Sequence, residues 1–80
     1  MSTSAFEVLD KELEQMIVQQ RRKCLELARR LRPGLTEDDI TQPHDFAELQ
    51  ESWHFNYEDG FLSGLLAAQV TVRRAKASSG

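Results

Sequence analysis

Two residues with the spacing of metal ligands, Glu51 and His54, stand in the middle of the chain. Residues three apart on a helix project to the same side, so this carboxylate and imidazole could bind one metal ion. Glu58 would lie one turn further along, and Glu26 could face it from an earlier helix. The pattern is short and arises by chance in acidic helices, and it falls beside the apolar face. We therefore predict a solvated flank with no metal and no cofactor, and keep these four residues as the alternative metal site.

Other residue patterns that carry catalysis are missing from the sequence. It has no serine–histidine–aspartate order, no glycine-rich phosphate loop and no paired cysteines. Cys24, the only cysteine, lies on an apolar stripe and is expected to be a small buried hydrophobic residue. His44 and Asp45 form a second imidazole and acid pair, in which Asp45 is better explained as a charge at a helix N-terminus. We predict no catalytic residues and no enzyme activity.

The charges are segregated along the chain, although the net charge is only −3. Acidic and basic blocks alternate, with a basic block in residues 21–32, an acidic one in 37–59 and a short basic one in 73–76. The main basic patch contains Arg21, Arg22, Lys23, Arg29, Arg30 and Arg32. A nucleic-acid site would need this patch to be exposed and free of acidic neighbours. Folding the chain in half supplies acidic neighbours, so we do not expect nucleic-acid binding.

Length and composition indicate one small domain of 80 residues. A chain of this size buries a modest core, and small domains often gain stability from a second copy. A single cysteine suits a reducing compartment. The sequence shows no charged segment followed by an apolar one at its start, so we expect no signal peptide. The longest apolar stretch is shorter than the roughly 20 residues that span a bilayer. We expect a soluble, cytoplasmic protein without a membrane partner.

The first long helix is predicted over residues 5–32. Ser4 and Glu7 form a capping box at its start, and Pro33-Gly34 ends it. Apolar residues then recur at spacings of three and four, which is typical of a helix packed along one side. That stripe contains Phe6, Leu9, Leu13, Met16, Gln20, Cys24, Leu27 and Leu31.

The remaining chain is predicted as a connection with one or two short helices, 33–55, a second long helix, 56–76, and a frayed tail, 77–80. Thr36 caps a short acidic turn, and Pro43 begins another helical segment. A helix break is placed at His54–Asn56, because Asn56 is a good N-cap and Phe55 would otherwise point away from the apolar side.

The aromatic residues Trp53, Phe55 and Tyr57 allow two interpretations. In the preferred one, Trp53 and Tyr57 join Phe46 and Leu49 and close the loop end of a hairpin. In the other, Trp53, Phe55 and Tyr57 form an exposed partner surface, because exposed tryptophan and tyrosine anchor interfaces.

An antiparallel hairpin of the two long helices places the acidic and basic blocks side by side. The second helix has apolar residues on more than one side, so one hairpin cannot cover them all, and we predict a homodimer with a four-helix core. Two helical glycines each cost about 1 kcal/mol relative to alanine, which favours a close helix contact there. The predicted helix-packing and dimer residues are Gly60, Phe61, Gly64, Leu65 and Ala68.

The sequence predicts an all-α, self-associating, non-catalytic protein–protein interaction module, such as an adaptor, a small chaperone or a regulatory subunit. Its expected partners are a second copy of the chain and a further protein. Two alternatives belong to other classes: a metal-binding half-bundle with a ferritin-like carboxylate and histidine site, and a small nucleic-acid-binding regulator.

Overall fold

The computed structural model describes residues 4–79, and almost all of them are helical. Two long helices, α1 (Ala5–Leu31) and α4 (Trp53–Ser79), pack against each other along their length. Between them come α2 (Glu37–Ile40), a 3₁₀ turn (Pro43–Asp45) and α3 (Ala47–Gln50). The molecule is a rod 48 Å long and 19 Å across. The predicted all-α antiparallel hairpin is confirmed.

Helix α1 begins and ends close to the predicted positions. The hydroxyl of Ser4 accepts a hydrogen bond from the Glu7 amide at 3.2 Å, which satisfies one of the free amides of the first turn. The helix ends at Leu31, one residue earlier than predicted, and Pro33 follows. Gly34 then has a φ of +91°, a left-handed conformation that favours glycine.

The buried stripe of α1 differs from the predicted one. It consists of Ile17, Gln20, Cys24 and Ala28. Leu9 and Met16 were expected in the stripe, but they are 50% and 45% exposed. The reason is that a single partner helix covers only a narrow part of α1, so residues at the edge of the apolar side stay in contact with water. With Leu31, which is also exposed, three apolar residues of the predicted stripe are thus left at the surface of the hairpin.

The connection closes the loop end of the hairpin with three buried aliphatic residues. Leu35, Ile40 and Leu49 are all in the core, and Leu49 is fully buried. Thr36 and Asp39 form the predicted cap of α2, in which the Thr36 hydroxyl accepts from the Asp39 amide and the Asp39 carboxylate accepts from the Thr36 amide. Leu35, Ile40 and Leu49 thus close the loop end of the hairpin, a role predicted for Trp53.

Helix α4 begins three residues before the predicted start, and the predicted break at His54–Asn56 is wrong. The Ser52 hydroxyl accepts a hydrogen bond from the Phe55 amide at 3.1 Å and so caps the helix. Asn56 instead uses its side-chain amide to donate to the Gln50 carbonyl, at 2.9 Å. The helix also continues through most of the predicted tail, to Ser79.

The new start of α4 reverses the predicted roles of its aromatic residues. Phe55 is fully buried, whereas Trp53 is 79% exposed, so Trp53 is not a core plug. The prediction assumed one continuous helical phase from Phe46 to Tyr57. The helix is instead interrupted at Glu51 and Ser52, between α3 and α4, so residues before and after this point do not share a face. The buried stripe of α4 is Phe55, Glu58, Leu62, Leu65 and Gln69, again at spacings of three and four.

Ion pairs across the hairpin match the predicted charge order. Arg73 lies 3.1 Å from the Asp10 carboxylate, and Lys76 lies 3.3 Å from that of Glu7. Arg29, near the end of α1, donates to the Leu35 carbonyl at 2.8 Å and so holds the chain as it turns away from the helix. Exposed pairs contribute about 0–1 kcal/mol each, so they favour the antiparallel orientation more than they add to stability.

The apolar run of α4 is interrupted by Ser63, Gly64 and Gln69. None of the helices within residues 4–79 is both long and apolar enough to cross a membrane.

Candidate interaction surface

Three large aromatic side chains stand exposed along one side of α4. Trp53, Tyr57 and Phe61 follow one another at a spacing of four residues, and they are 79%, 65% and 46% exposed. The same side continues with small residues to the end of the helix. We call it the outer face of α4, and it comprises Trp53, Tyr57, Gly60, Phe61, Gly64, Ala68, Thr71 and Ala75, all exposed.

The outer face carries no charged residue over six turns of helix. At about 100° per residue, its centre lies roughly 120° around the helix from the buried stripe. The charged residues of α4 lie elsewhere: Glu58 is buried against α1, and Arg73 and Lys76 pair with acidic residues of α1. A long, exposed and uncharged helix face with large aromatic residues is typical of a surface that another molecule covers.

The glycines of this face make no close contact within the chain. A Cβ atom added to Gly60 or Gly64 would have no neighbour within 4 Å. The predicted close helix contact is therefore not made by α1. Of the predicted helix-packing residues, only Leu65 is buried, and Gly60, Phe61, Gly64 and Ala68 are exposed. The cost of two helical glycines is not repaid by packing inside one hairpin.

The candidate partner surface predicted from the sequence is partly reassigned. Trp53 and Tyr57 are exposed as that interpretation required, but Phe55 is in the core. Trp53 also stacks on His54, with ring centroids 5.5 Å apart. Phe61 borders a shallow depression whose other walls are Met16, Gln19, Gln20 and Lys23. The exposed Met16 therefore extends the apolar surface from α4 onto α1.

Beneath this surface lies a buried polar group that the sequence analysis placed in solvent. The Glu58 side chain is only 5% exposed, and its carboxylate lies 2.8 Å from the Lys23 ammonium. Gln20 donates to the Glu58 carbonyl at 2.8 Å and to its carboxylate at 3.3 Å. The Lys23 contact holds the pKa of Glu58 below its ordinary range, although burial opposes this. The same contact raises the pKa of Lys23.

A second buried amide joins the other end of the two long helices. Gln69 donates to Glu14 at 2.6 Å and to Asp10 at 3.1 Å. The guanidinium of Arg73 beside Asp10 lowers the pKa of that carboxyl group. The hairpin is thus held at both ends by polar contacts that fix the register of α1 against α4, because each buried polar group needs its partner.

The alternative metal site is not assembled. His54 lies 4.0 Å from the Glu58 carboxylate, but that carboxylate is already engaged by Lys23. Glu26 and His54 border one small depression, which Glu51 does not reach. Within residues 4–79, no group of three or more histidine, cysteine, aspartate or glutamate residues could hold a metal ion.

Half of the basic patch in residues 21–32 is engaged in contacts within the hairpin. Lys23 pairs with Glu58, and Arg29 donates to the Leu35 carbonyl. Arg32 lies 3.8 Å from Glu48 and stacks over the Phe46 ring. Arg21 borders an open groove of about 370 Å³ whose other walls include Glu37, Asp38 and Asp59. The groove thus sets acidic side chains beside Arg21, as the charge order of the sequence predicts.

The thiol of Cys24 is buried as predicted, with 1% of the residue exposed. Burial raises the pKa of the thiol to about 11. A thiol with so high a pKa is protonated at neutral pH and is a poor nucleophile.

Comparison with known protein families, with characterised proteins and with solved structures finds no match to this chain. The geometry of the hairpin and its outer face is thus the guide to function.

Proposed function

We propose that the protein is a non-catalytic helical interaction module that binds other proteins, including a second copy of itself, through the outer face of α4. The observation that supports this most is the exposure of Trp53, Tyr57 and Phe61 on an uncharged helix face. The proposal includes a cytoplasmic location, which suits a chain with one unpaired cysteine.

The energetic argument rests on the size of the exposed aromatic side chains. Each of them contributes about 1.5–3 kcal/mol when it moves from water into a packed interface. A small hairpin has no further core in which to bury them, since Phe55 already fills the interior beside them. A partner helix laid along α4 would cover all three at once, because they share one side of the helix.

The test compares two double variants of α4. In Tyr57→Ala/Phe61→Ala, two exposed aromatic residues of the outer face are removed, while Ser63→Ala/Val70→Ala changes two exposed residues of α4 that lie off the outer face. We expect the first variant to keep the helix content of the wild type and its unfolding free energy within about 0.5 kcal/mol, since exposed side chains contribute little to the fold. Binding should weaken by roughly 100-fold or more, because each buried interface aromatic contributes about 2 kcal/mol.

Two measurements report this binding. Sedimentation velocity over a range of concentrations follows self-association, and affinity capture from a lysate of the native host follows other partners. We also expect the emission of Trp53 to shift to the red on dilution as self-association is lost. If the aromatic double variant associates and captures the same proteins as the wild type, the outer face is not the binding surface.

A further inference from the structure

The outer face of α4 contains a strict coiled-coil spacing. Residues Tyr57, Phe61, Gly64, Ala68, Thr71 and Ala75 follow one another at intervals of four, three, four, three and four. This seven-residue repeat is the pattern by which one helix packs its side chains between those of another. Within the hairpin the seam is exposed throughout, and α1 packs on a different side of α4. The seam is therefore available for a second helix.

The sizes of the seam residues change along the helix. The N-terminal half carries Tyr57 and Phe61, and the C-terminal half carries Gly64, Ala68 and Ala75. A parallel pairing of two copies would set aromatic residues against aromatic residues and leave the small residues facing one another across a gap. An antiparallel pairing sets the large half of one helix against the small half of the other, which fills the interface evenly.

We propose that two copies of the chain pair through their α4 helices in antiparallel orientation, with the two-fold axis passing between Phe61 and Gly64. This inference rests on the proposed function and adds the orientation and the register in which the second copy lies on the same face. Phe61 packs against Gly64 of the second copy, and Tyr57 against its Ala68. Each of these layers then joins one aromatic residue to one small residue. The glycine and alanine let the two helices approach closely around the larger rings.

The same pairing accounts for Trp53 and Arg74. Both lie on the same flank of the seam. Arg74 immediately precedes the seam residue Ala75, and Trp53 immediately precedes His54, the position to which the repeat extends three residues before Tyr57. In an antiparallel pair these flanks meet, so Trp53 of one copy faces Arg74 of the other. A guanidinium over an indole ring is a favourable contact. Among residues 4–79, Arg74 has no carboxylate within ion-pair distance, whereas the neighbouring Arg73 pairs with Asp10.

Single cysteine variants test the orientation directly. Residues that face each other in adjacent helices can form a disulfide, whereas Tyr57 and Ala68 of one chain are about 16 Å apart along α4 and cannot. We mix the variants Tyr57→Cys and Ala68→Cys in equal amounts, oxidise them gently and map the cross-linked peptides by mass spectrometry. The native Cys24 stays in place, because it is buried. Wild-type protein treated in the same way measures the background cross-linking through Cys24.

We expect the 57–68 cross-link to form at least tenfold faster than the 57–57 or 68–68 cross-link. A dominant 57–57 cross-link in Tyr57→Cys alone would overturn the antiparallel orientation in favour of a parallel one. A dominant 57–75 cross-link, in a mixture of Tyr57→Cys with Ala75→Cys, would overturn the register by one repeat. If wild-type protein sediments as a monomer and no combination cross-links above background, the second copy is not the partner. The self-association part of the proposed function would then be wrong, and the binding of other proteins through the outer face would still be supported if the aromatic double variant loses a captured protein.

Arg74→Gln tests the flank contact, with Arg22→Gln on the exposed side of α1 as the matched control. We expect Arg74→Gln to weaken self-association by roughly threefold and to shift the Trp53 emission of the associated protein. The control should change neither. Equal behaviour of the two variants would exclude the contact between Trp53 and Arg74.

Discussion

Helices α1 and α4 have the same length, 27 residues each, and bury comparable stripes against each other, yet their remaining surfaces differ. The side of α1 that faces water carries charged and amide residues, among them Lys11, Gln15, Gln19 and Arg22. The outer face of α4 carries none and exposes three aromatic rings instead. Helix α1 exposes aliphatic residues such as Met16 and Val18 among these polar ones, whereas the exposed aromatic side chains of the described residues are all on α4.

The buried sides of the two helices differ as well. Helix α1 contributes Gln20 as its buried polar residue, and α4 contributes Glu58 and Gln69. Each of these finds a partner on the opposite helix, and within the described residues no buried side-chain polar atom is left without a hydrogen bond. These polar contacts thus belong to the inner interface, and the aromatic residues of α4 other than Phe55 belong to its outer face.

The largest expected effect separates the inner and outer sides of α4. Phe55→Ala should lower the unfolding free energy by about 3–5 kcal/mol, because Phe55 is fully buried and its removal leaves a cavity. Tyr57→Ala, two residues away and 65% exposed, should change the monomer by no more than about 0.5 kcal/mol. Urea unfolding at a concentration where the protein is monomeric measures both. Equal losses would contradict the division between the two sides.

Smaller effects are expected at Gly64, where one substitution should stabilise the hairpin and weaken its association. Gly64→Leu should stabilise the hairpin by about 0.5–1 kcal/mol, because leucine is the better helix former and nothing lies within 4 Å. In the pair of α4 helices the same side chain would meet Phe61 of the second copy and should weaken association by about 1–3 kcal/mol through overpacking.

Thermal unfolding of dilute protein measures the first effect at Gly64, and sedimentation equilibrium measures the second. Val70→Ile is the control, since Val70 is exposed on another side of α4 and both residues are β-branched with similar helix propensity, so neither measurement should change. Tighter association of Gly64→Leu would show that no helix approaches this glycine closely.

The smallest effect concerns the contact between Lys23 of α1 and Glu58 of α4. Because the pKa of Glu58 is lower in the folded protein than its ordinary value of 4.5, the ionised carboxylate stabilises the fold above that pH. This stabilisation should disappear as the pH falls below 4.5 and through the lower folded value. The variant Glu58→Gln should therefore be less stable than the wild type at neutral pH and approach it in acid.

Thermal midpoints between neutral and acidic pH follow the difference between Glu58→Gln and the wild type. The exposed Glu12→Gln removes the same charge outside the inner interface and serves as the control. A constant difference across the whole range would mean that the ionisation of Glu58 does not couple to folding.

The sequence predicted those parts of the fold that depend on local signals. The caps at Ser4 and Thr36 and the Pro33-Gly34 end of α1 each act within a few residues, and all three are present. The antiparallel orientation also followed from the sequence, because the order of charged blocks leaves the other orientation with like charges together.

The start of α4 could not be decided in the same way, because Ser52 and Asn56 are both good helix caps. The choice changes which side of the helix is buried, so a shift of three residues exchanged Phe55 with Trp53. The buried stripe was also difficult to recognise because Glu58 and Gln69 lie on it, and polar residues are usually read as exposed. A repeat of three and four residues from Phe55 to Gln69 was nevertheless present in the sequence.

The burial of Cys24 makes its thiol a built-in probe of how often the hairpin opens. A thiol at the centre of the interface, with its pKa raised to about 11, is shielded from reagents in solution as long as α1 and α4 stay together. In excess reagent, the labelling rate then reports how often the two helices separate, in the manner of amide hydrogen exchange. Because Cys24 is the only cysteine, the labelling rate of the unmodified chain can be compared at low and high protein concentration, to measure whether association changes how often the hairpin opens.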